Sequence, residues 1–308
     1  MPKTRLAPSP TGSLHLGNAR TFLVNWALAR RRGWRILLRI EDLDGPRVKP
    51  EAVDGVRRTL EWLGIDWDEG PVVQSDDLAP YRAAMERLAE AGFAFPCALT
   101  RGEIAAAASA PQEGSHELVY PSSLRPESWE RRFSHAETNW RFLAAEGSIA
   151  FEDAFAGPQS FELSKTIGDF IVWTKRGGPA YQLAVVVDDH RQGITEVVRG
   201  DDLLESGARQ LALYRALGLT PEPRHWHLPL VVGPDGKRLA KRHGDARLDA
   251  LRAAGVKAEA VIGVLARWCG IDATGALSAA EFRDALDSAK IPRGPLVFRP
   301  EENAKISP

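Results

Sequence analysis

Sulfur is scarce in this chain of 308 residues, which holds two cysteines, Cys97 and Cys269, and two methionines. Two cysteines cannot make a disulfide framework, so a reducing cytoplasm is the expected compartment. Net charge is lacking as well. The 40 Lys+Arg against 41 Asp+Glu leave −1, which gives no bulk case for nucleic-acid binding, so any such case must come from local clusters. No apolar run approaches the ~18 residues that span a bilayer. The start, Met1-Pro2-Lys3-Thr4-Arg5, lacks the apolar stretch of a secretory signal, so no membrane association is expected. Lysine is rare beside arginine, 9 against 31, a skew that nucleotide composition explains. What is present is ordinary: 44% hydrophobic and 26% charged residues exclude a disordered or fibrous chain. The length suggests about two domains and allows a sizeable core.

Hydrophobic period gives the organisation. Residues 3–7 alternate like a strand and run into Pro8-Ser9-Pro10-Thr11-Gly12, a tight loop. From Gly17 the pattern is helical, with Phe22, Leu23, Trp26, Leu28 and Ala29 at three- and four-residue spacing, until Gly33. Residues 34–40 alternate like a second strand, and Pro50 opens a helix to residue 63 with Val53, Val56 and Leu60 inward. Strand, helix, strand, helix predicts a βαβ unit and a parallel sheet, hence an α/β fold. A further helix is predicted over 78–91. Around 92–180 glycines, prolines and short β-like runs such as 148–155 predict an insertion between sheet halves. Helical signals return at 201–217, and residues 226–232 are predicted as the last strand. Short helices over 246–255, 258–268 and 278–288 then form a small appendage without more sheet.

Two segments carry chemistry. Pro8-Ser9-Pro10-Thr11-Gly12-Ser13-Leu14-His15-Leu16-Gly17-Asn18 lies between the first strand and the first helix, where ligands bind in open α/β sheets. Unpaired N–H groups at a helix N-terminus suit phosphate. Gly17 lets a flat group lie on bare backbone and His15 can donate to a phosphate oxygen; equally, His15 caps the helix and Gly17 fits the turn. The second segment is Gly236-Lys237-Arg238-Leu239-Ala240-Lys241-Arg242-His243, a basic loop. It either neutralises charge building on a phosphate in a transition state or is a solvated basic turn.

Together the two segments resemble the signature motifs of class I aminoacyl-tRNA synthetases, and more narrowly the glutamyl/glutaminyl branch. Arg39-Ile40-Glu41-Asp42-Leu43-Asp44, Tyr181-Gln182-Leu183-Ala184 with Val187-Asp188-Asp189-His190, and Val198-Arg199-Gly200-Asp201-Asp202 match further segments of that family in order. The resemblance covers about residues 3–245 and implies a Rossmann-type nucleotide-binding parallel sheet. It implies an ATP site at His15, Gly17 and Asn18 closed by Lys241, with His15 and Lys241 catalytic. It also implies a glutamate pocket of Arg5, Ala7, Ser9, Glu41, Tyr181 and Arg199. Glutamate has two carboxylates and one ammonium, so Arg5, Arg199 and Glu41 balance it group for group. An amide in place of the side-chain carboxylate leaves one guanidinium without its ion partner, at ~1.5–3 kcal/mol per charged hydrogen bond. Read alone, Glu41 is a salt-bridge partner for Arg39 or Arg47, and Tyr181 is a core tyrosine.

The reaction so implied is attack of the glutamate carboxylate on the ATP α-phosphate, then glutamyl transfer to a ribose-type hydroxyl, with Mg2+ arriving on the ATP. Two departures from the family stand out. The basic loop has Arg238 and Ala240 where the family usually has Lys-Leu-Ser-Lys-Arg. Cys97-Ala98-Leu99 and Tyr120-Pro121-Ser122-Ser123-Leu124 stand where relatives often hold zinc. Cysteine with tyrosine alone cannot hold a tetrahedral Zn2+, so no zinc is expected.

The expected division is a first Rossmann half over 1–91, an α+β insertion resembling an acceptor-binding subdomain over 92–180, the second half with the basic loop over 181–245, and a helical stem-contact-like module over 246–308. Only 66 residues follow Arg242, so no anticodon-binding domain is expected. This short architecture resembles the glutamyl-queuosine tRNA(Asp) synthetase family. That resemblance implies tRNA-independent glutamate activation and transfer to queuosine of tRNA(Asp) by a monomer. The alternatives are a minimal or truncated glutamyl-tRNA synthetase charging a 3′ end, and a non-catalytic tRNA- or nucleotide-binding paralogue. Phosphate contacts are expected from Arg30–Arg32, Arg131-Arg132 and 237–242.

Overall fold

A computed structural model describes residues 1–10, 12, 14–43, 50–107, 119–134, 138–237, 239, 247–299 and 306. The first part holds β1 (Lys3–Leu6), α1 (Leu16–Arg32), β2 (Arg35–Ile40), α2 (Pro50–Trp62), β3 (Glu69–Val73) and α3 (Ala79–Glu90). The middle part holds β4 (Ala94–Cys97), α4 (Arg101–Ala107), β5 (Asn139–Phe142), β6 (Ser148–Asp153), β7 (Gly157–Glu162), β8 (Phe170–Thr174) and β9 (Gly178–Pro179). The chain then returns with α5 (Tyr181–Arg191), β10 (Glu196–Gly200), α6 (Leu204–Ala216), β11 (Arg224–Leu228) and β12 (Val231–Val232). It continues through α7 (Leu248–Ala253), α8 (Ala258–Trp268), α9 (Ala279–Ala285) and β13 (Leu296–Val297).

The central sheet is five-stranded in the order β11-β10-β1-β2-β3, and every pairing in it is parallel. Chain direction across the sheet reverses at β1, the place where such sheets bind ligands beyond their carboxyl ends. The two faces differ because side chains alternate along a strand. Leu6, Ile36, Leu38, Ile40, Val198, Trp226 and Leu228 point to one face and pack with Leu23, Ala27 and other residues of α1 in the largest core. Arg5, Arg39, Arg199 and His227 share the other face through the registers Arg5–Leu37 and Arg199–His227. There they meet α5, whose Asp189 reaches Arg5 and Arg39. Helix α1 ends where Gly33 takes φ 67°, a left-handed conformation that glycine adopts without strain.

The middle part folds as a four-stranded antiparallel sheet, β4-β5-β8-β9, plus the β6–β7 hairpin. That hairpin turns back onto the central sheet, where the Ala154 N–H donates to the His225 carbonyl at 2.8 Å. Two expectations need correction. Residues 226–232 are not one last strand: β11 ends at Leu228, and after Pro229 the separate β12 pairs with β13. The terminal part is therefore not helices alone, and Val261, Leu265, Phe282 and Phe298 lie in the same core as α1. The strand β3 also escaped the sequence pattern. No helix among the described residues is long and apolar enough to cross a membrane.

Candidate active site

A cavity of about 510 Å3 opens at the carboxyl ends of β1, β2 and β10. Arg5, Ala7, Ser9, His15, Gly17, Asn18, Glu41, Tyr181 and Arg199 all line it. Lys241, the remaining expected site residue, lies outside the described residues, as do Arg238, Ala240 and Arg242. Within that segment Leu239 N–H donates to the Val231 carbonyl, and beyond it Leu248 N–H donates to the Leu14 carbonyl. Arg247 also forms a β-bridge with His15. Thr21, Asp202, Leu230 and Val231 complete parts of the lining that the motifs did not single out.

The end beside α1 is built around His15. Its Nδ1 accepts the N–H groups of Gly17 at 3.1 Å and Asn18 at 3.3 Å, while Asn18 Oδ1 accepts the His15 N–H at 3.4 Å. This capping box corrects the expectation of unpaired helix N–H groups there, since the imidazole itself satisfies two of them. Accepting at Nδ1 leaves the ring proton on Nε2, so that nitrogen is the donor of the ring. Gly17 has a matching reason: a Cβ there would stand 3.0 Å from His15 Cε1.

The other end is ionic and more populated than sequence indicated. Arg39 Nη2 donates to Glu41 Oε1 at 3.0 Å and Nη1 to Asp189 Oδ1 at 2.6 Å. Arg5 Nε donates to the same Asp189 oxygen at 3.2 Å. Glu41 is thus both a partner of Arg39 and a wall of the cavity, and Tyr181, 41% exposed, is no core tyrosine. Burial raises the Asp189 pKa, but Arg39 and Arg5 outweigh it and hold the carboxyl below its ordinary range. For Glu41 burial prevails over Arg39 and Arg5, and its pKa is raised.

Arg199 differs from its neighbours. It is 5% exposed, and its partners are neutral: Nε donates to His227 Nε2 at 2.9 Å and Nη1 to Gln210 Oε1 at 2.8 Å, with the Tyr181 phenol also beside the guanidinium. Its Nη2 is buried without a hydrogen-bond partner. Burial lowers its pKa and Arg5 adds to that, with Tyr181 and Asp189 only partly opposing. Such a group is costly to bury unless a ligand completes it. The balance of charge is therefore not Arg5, Arg199 and Glu41 alone. Arg39, Asp188 and Asp189 join them, with Asp189 shared between Arg5 and Arg39. Asp189 and Arg39 were missed although the signal existed: two acids on an apolar helix and an arginine in a buried strand require partners.

Away from the cavity, Cys97 Sγ donates to Tyr120 Oη at 3.6 Å, and Tyr120 Oη donates to the Leu124 carbonyl at 2.9 Å. Leu99 and Leu124 pack against this pair with Phe95 and Ile104. Burial raises the Tyr120 phenol, and the bond from Cys97 adds to that. Among the described residues no group of three or more His, Cys, Asp or Glu is arranged to hold a metal ion.

Comparison with known proteins agrees with this architecture. Residues 2–288 match the family described as tRNA synthetases class I (E and Q), catalytic domain. The Glutamyl-Q tRNA(Asp) synthetase of Symbiobacterium thermophilum is 45% identical over 317 residues, covering 98% of each chain. That of Rhodopirellula baltica is 45% identical over 290 residues, 89% of this chain and 87% of the relative. A glutamate–tRNA ligase of Geobacter sulfurreducens is 41% identical over 86% of this chain, which spans 56% of the relative. The crystal structure of a glutamate tRNA ligase from Elizabethkingia meningosepticum, in complex with its amino acid, superposes with a TM-score of 0.77. It is 27% identical, over 98% of this chain and 68% of that one.

Proposed function

The chain belongs to the class I tRNA synthetases of the glutamate and glutamine branch, and on that premise we propose that it is a ligase-type enzyme that activates L-glutamate with ATP, without tRNA, and transfers the glutamyl group to queuosine of tRNA(Asp). The observation that carries the amino-acid choice is the buried Arg199 with its unspent Nη2. The glutamate side-chain carboxylate goes to Arg199, its α-carboxylate lies toward Arg5, and its ammonium goes to Glu41. Glutamine carries no net charge and leaves Arg199 without an ion partner.

In the first step an α-carboxylate oxygen bonds to the α-phosphorus of ATP, and the bond to the bridging oxygen breaks with pyrophosphate leaving. The protein forms no covalent bond, so positioning and charge stabilisation supply the rate. His15 Nε2–H serves as a phosphate donor at the end of the cavity beside α1, and Lys241 is assigned the charge that develops on the transferring phosphate. Mg2+ brought with ATP would neutralise charge on its phosphates. In the second step a hydroxyl of the queuosine cyclopentene diol bonds to the acyl carbon, and AMP leaves. That diol stands in for the ribose diol of a tRNA 3′ end.

The acceptor rests on the names of the relatives that match nearly end to end. Labelled glutamate offered to tRNA(Asp) with and without queuosine tests it. Product is expected only on the modified tRNA. Acylation of the 3′ end of tRNA(Glu), abolished by periodate, would identify a glutamyl-tRNA synthetase instead, and absence of pyrophosphate exchange would leave a non-catalytic paralogue.

A further inference from the structure

Beside the cavity the molecule buries an acid–imidazole pair that the reaction above does not use. Asp153 closes β6 in the hairpin of the middle part, His227 lies on β11, and each is 1% exposed. Asp153 Oδ1 accepts the backbone N–H groups of Phe155 at 2.9 Å, Ala156 at 2.7 Å and His227 at 3.1 Å. Its Oδ2 lies 2.6 Å from His227 Nδ1. An ionised carboxylate only accepts, so Nδ1 must carry the ring proton. Burial lowers the His227 pKa to about 4 although the bond with Asp153 pulls it up, so the ring is neutral at pH 7. Nε2 is then the lone-pair nitrogen, and Arg199 Nε donates to it at 2.9 Å. The register of β10 on β11 sets Arg199 directly beside His227 on one face of the sheet.

We infer that Asp153 and His227 are positioning residues for glutamate, fixing the imidazole tautomer that holds the Arg199 guanidinium with Nη2 left for the substrate carboxylate, an inference that rests on Arg199 being the ligand of that carboxylate. A guanidinium on a flexible stem needs two contacts to fix its plane, and here His227 and Gln210 supply them. Both are neutral, so neither competes with the substrate for the charge. A carboxylate in place of either would hold Arg199 as firmly and spend it. Asp153 places this orientation under the control of the hairpin, since three of the four bonds it accepts come from that hairpin's turn and from the His227 backbone.

The test is Asp153→Asn, which keeps the shape and the Oδ1 acceptor but offers an N–H to His227 Nδ1. The ring proton then moves to Nε2 and faces the Arg199 Nε–H, donor against donor. In glutamate-dependent pyrophosphate exchange the KM for glutamate should rise about ten-fold or more, and that for ATP should hardly change. His227→Gln, whose amide oxygen reaches the place of Nε2, should keep more glutamate affinity than His227→Leu. In an Arg199→Ala background Asp153→Asn should add nothing further, because both act on one contact. Where Asp153→Asn does not fold, the His227→Gln and His227→Leu pair and its cycle with Arg199→Ala decide. Arg199→Ala without effect on the glutamate KM would overturn the role of Arg199 and the positioning with it. A large effect of Arg199→Ala beside silent Asp153→Asn and His227→Leu would overturn the positioning alone. Equal losses for both substrates, or additivity in the cycle, would make the pair structural and overturn it as well.

Discussion

The two walls of the ionic end bury the same side chain and treat it oppositely. On the β1–β2 wall, burial lowers the Arg39 pKa but Asp189, Glu41 and Asp188 outweigh it, and the guanidinium is raised. On the β10–β11 wall, Arg199 is equally enclosed but held by an imidazole and an amide, and its pKa is lowered. The first wall is a closed ionic network that shapes the pocket. The second keeps a charge unspent. On the proposed function, amino-acid selectivity belongs to the second wall and stability to the first.

The largest expected effect falls on the first wall. Asp189→Asn takes from Arg5 and Arg39 the carboxylate they share and leaves Arg39 to Glu41 and Asp188; breaking such a buried pair costs about 3–5 kcal/mol of folding stability, to be read from denaturant midpoints. The same substitution tests the pH dependence. Because the folded Asp189 pKa is depressed, its contribution is complete above the ordinary carboxylate range and is lost as pH falls through the folded value. Glu41, whose pKa is raised, contributes in the opposite direction. The variant should lack the acid-side loss due to Asp189; an unchanged acid profile would show that the network is not held by charge.

Arg199→Ala comes next. Losing a buried guanidinium opposite a carboxylate costs about 2–5 kcal/mol, which should appear in the KM for glutamate with that for ATP nearly constant and folding stability little changed. A fall in stability as large as that of Asp189→Asn would erase the distinction between the walls. Gln210→Glu makes the second wall resemble the first by placing a carboxylate at Arg199 Nη1. The glutamate KM should rise by about ten-fold, the loss of roughly one charged hydrogen bond, and glutamine should gain relative to glutamate. The smallest effect is expected away from both walls. Cys97→Ser should leave exchange kinetics unchanged, and the purified protein should hold no stoichiometric zinc, because Leu99 and Leu124 offer no lone pairs; one zinc per chain by metal analysis would refute this.

Much of this was readable from local pattern. The β1–α1 loop, the alternation of β2 and the amphipathic α2 follow from spacing alone, and they place the cavity at the carboxyl end of β1. Local pattern failed where pairing is distant. The edge strand β3 contains Gly70-Pro71, which reads as a turn, yet Pro71 is tolerated because an edge leaves one side unpaired. The split after Leu228 depends on β13, some seventy residues away in sequence, and on Pro229 interrupting the ladder. Arg5, Glu41, Tyr181 and Arg199 were found through motif resemblance. Asp189, His227 and Asp153 were not, because each matters through a partner on another element: residues 5 and 39 for Asp189, and residue 199 for His227.

On the proposed function, Arg199 Nη2 is kept for a substrate carboxylate. The most direct measurement is kcat/KM for glutamate against glutamine in ATP–pyrophosphate exchange by the wild-type protein without tRNA. A missing charged partner at a buried guanidinium predicts a preference for glutamate of roughly 10²-fold or more. Exchange with glutamine at a comparable kcat/KM would contradict it.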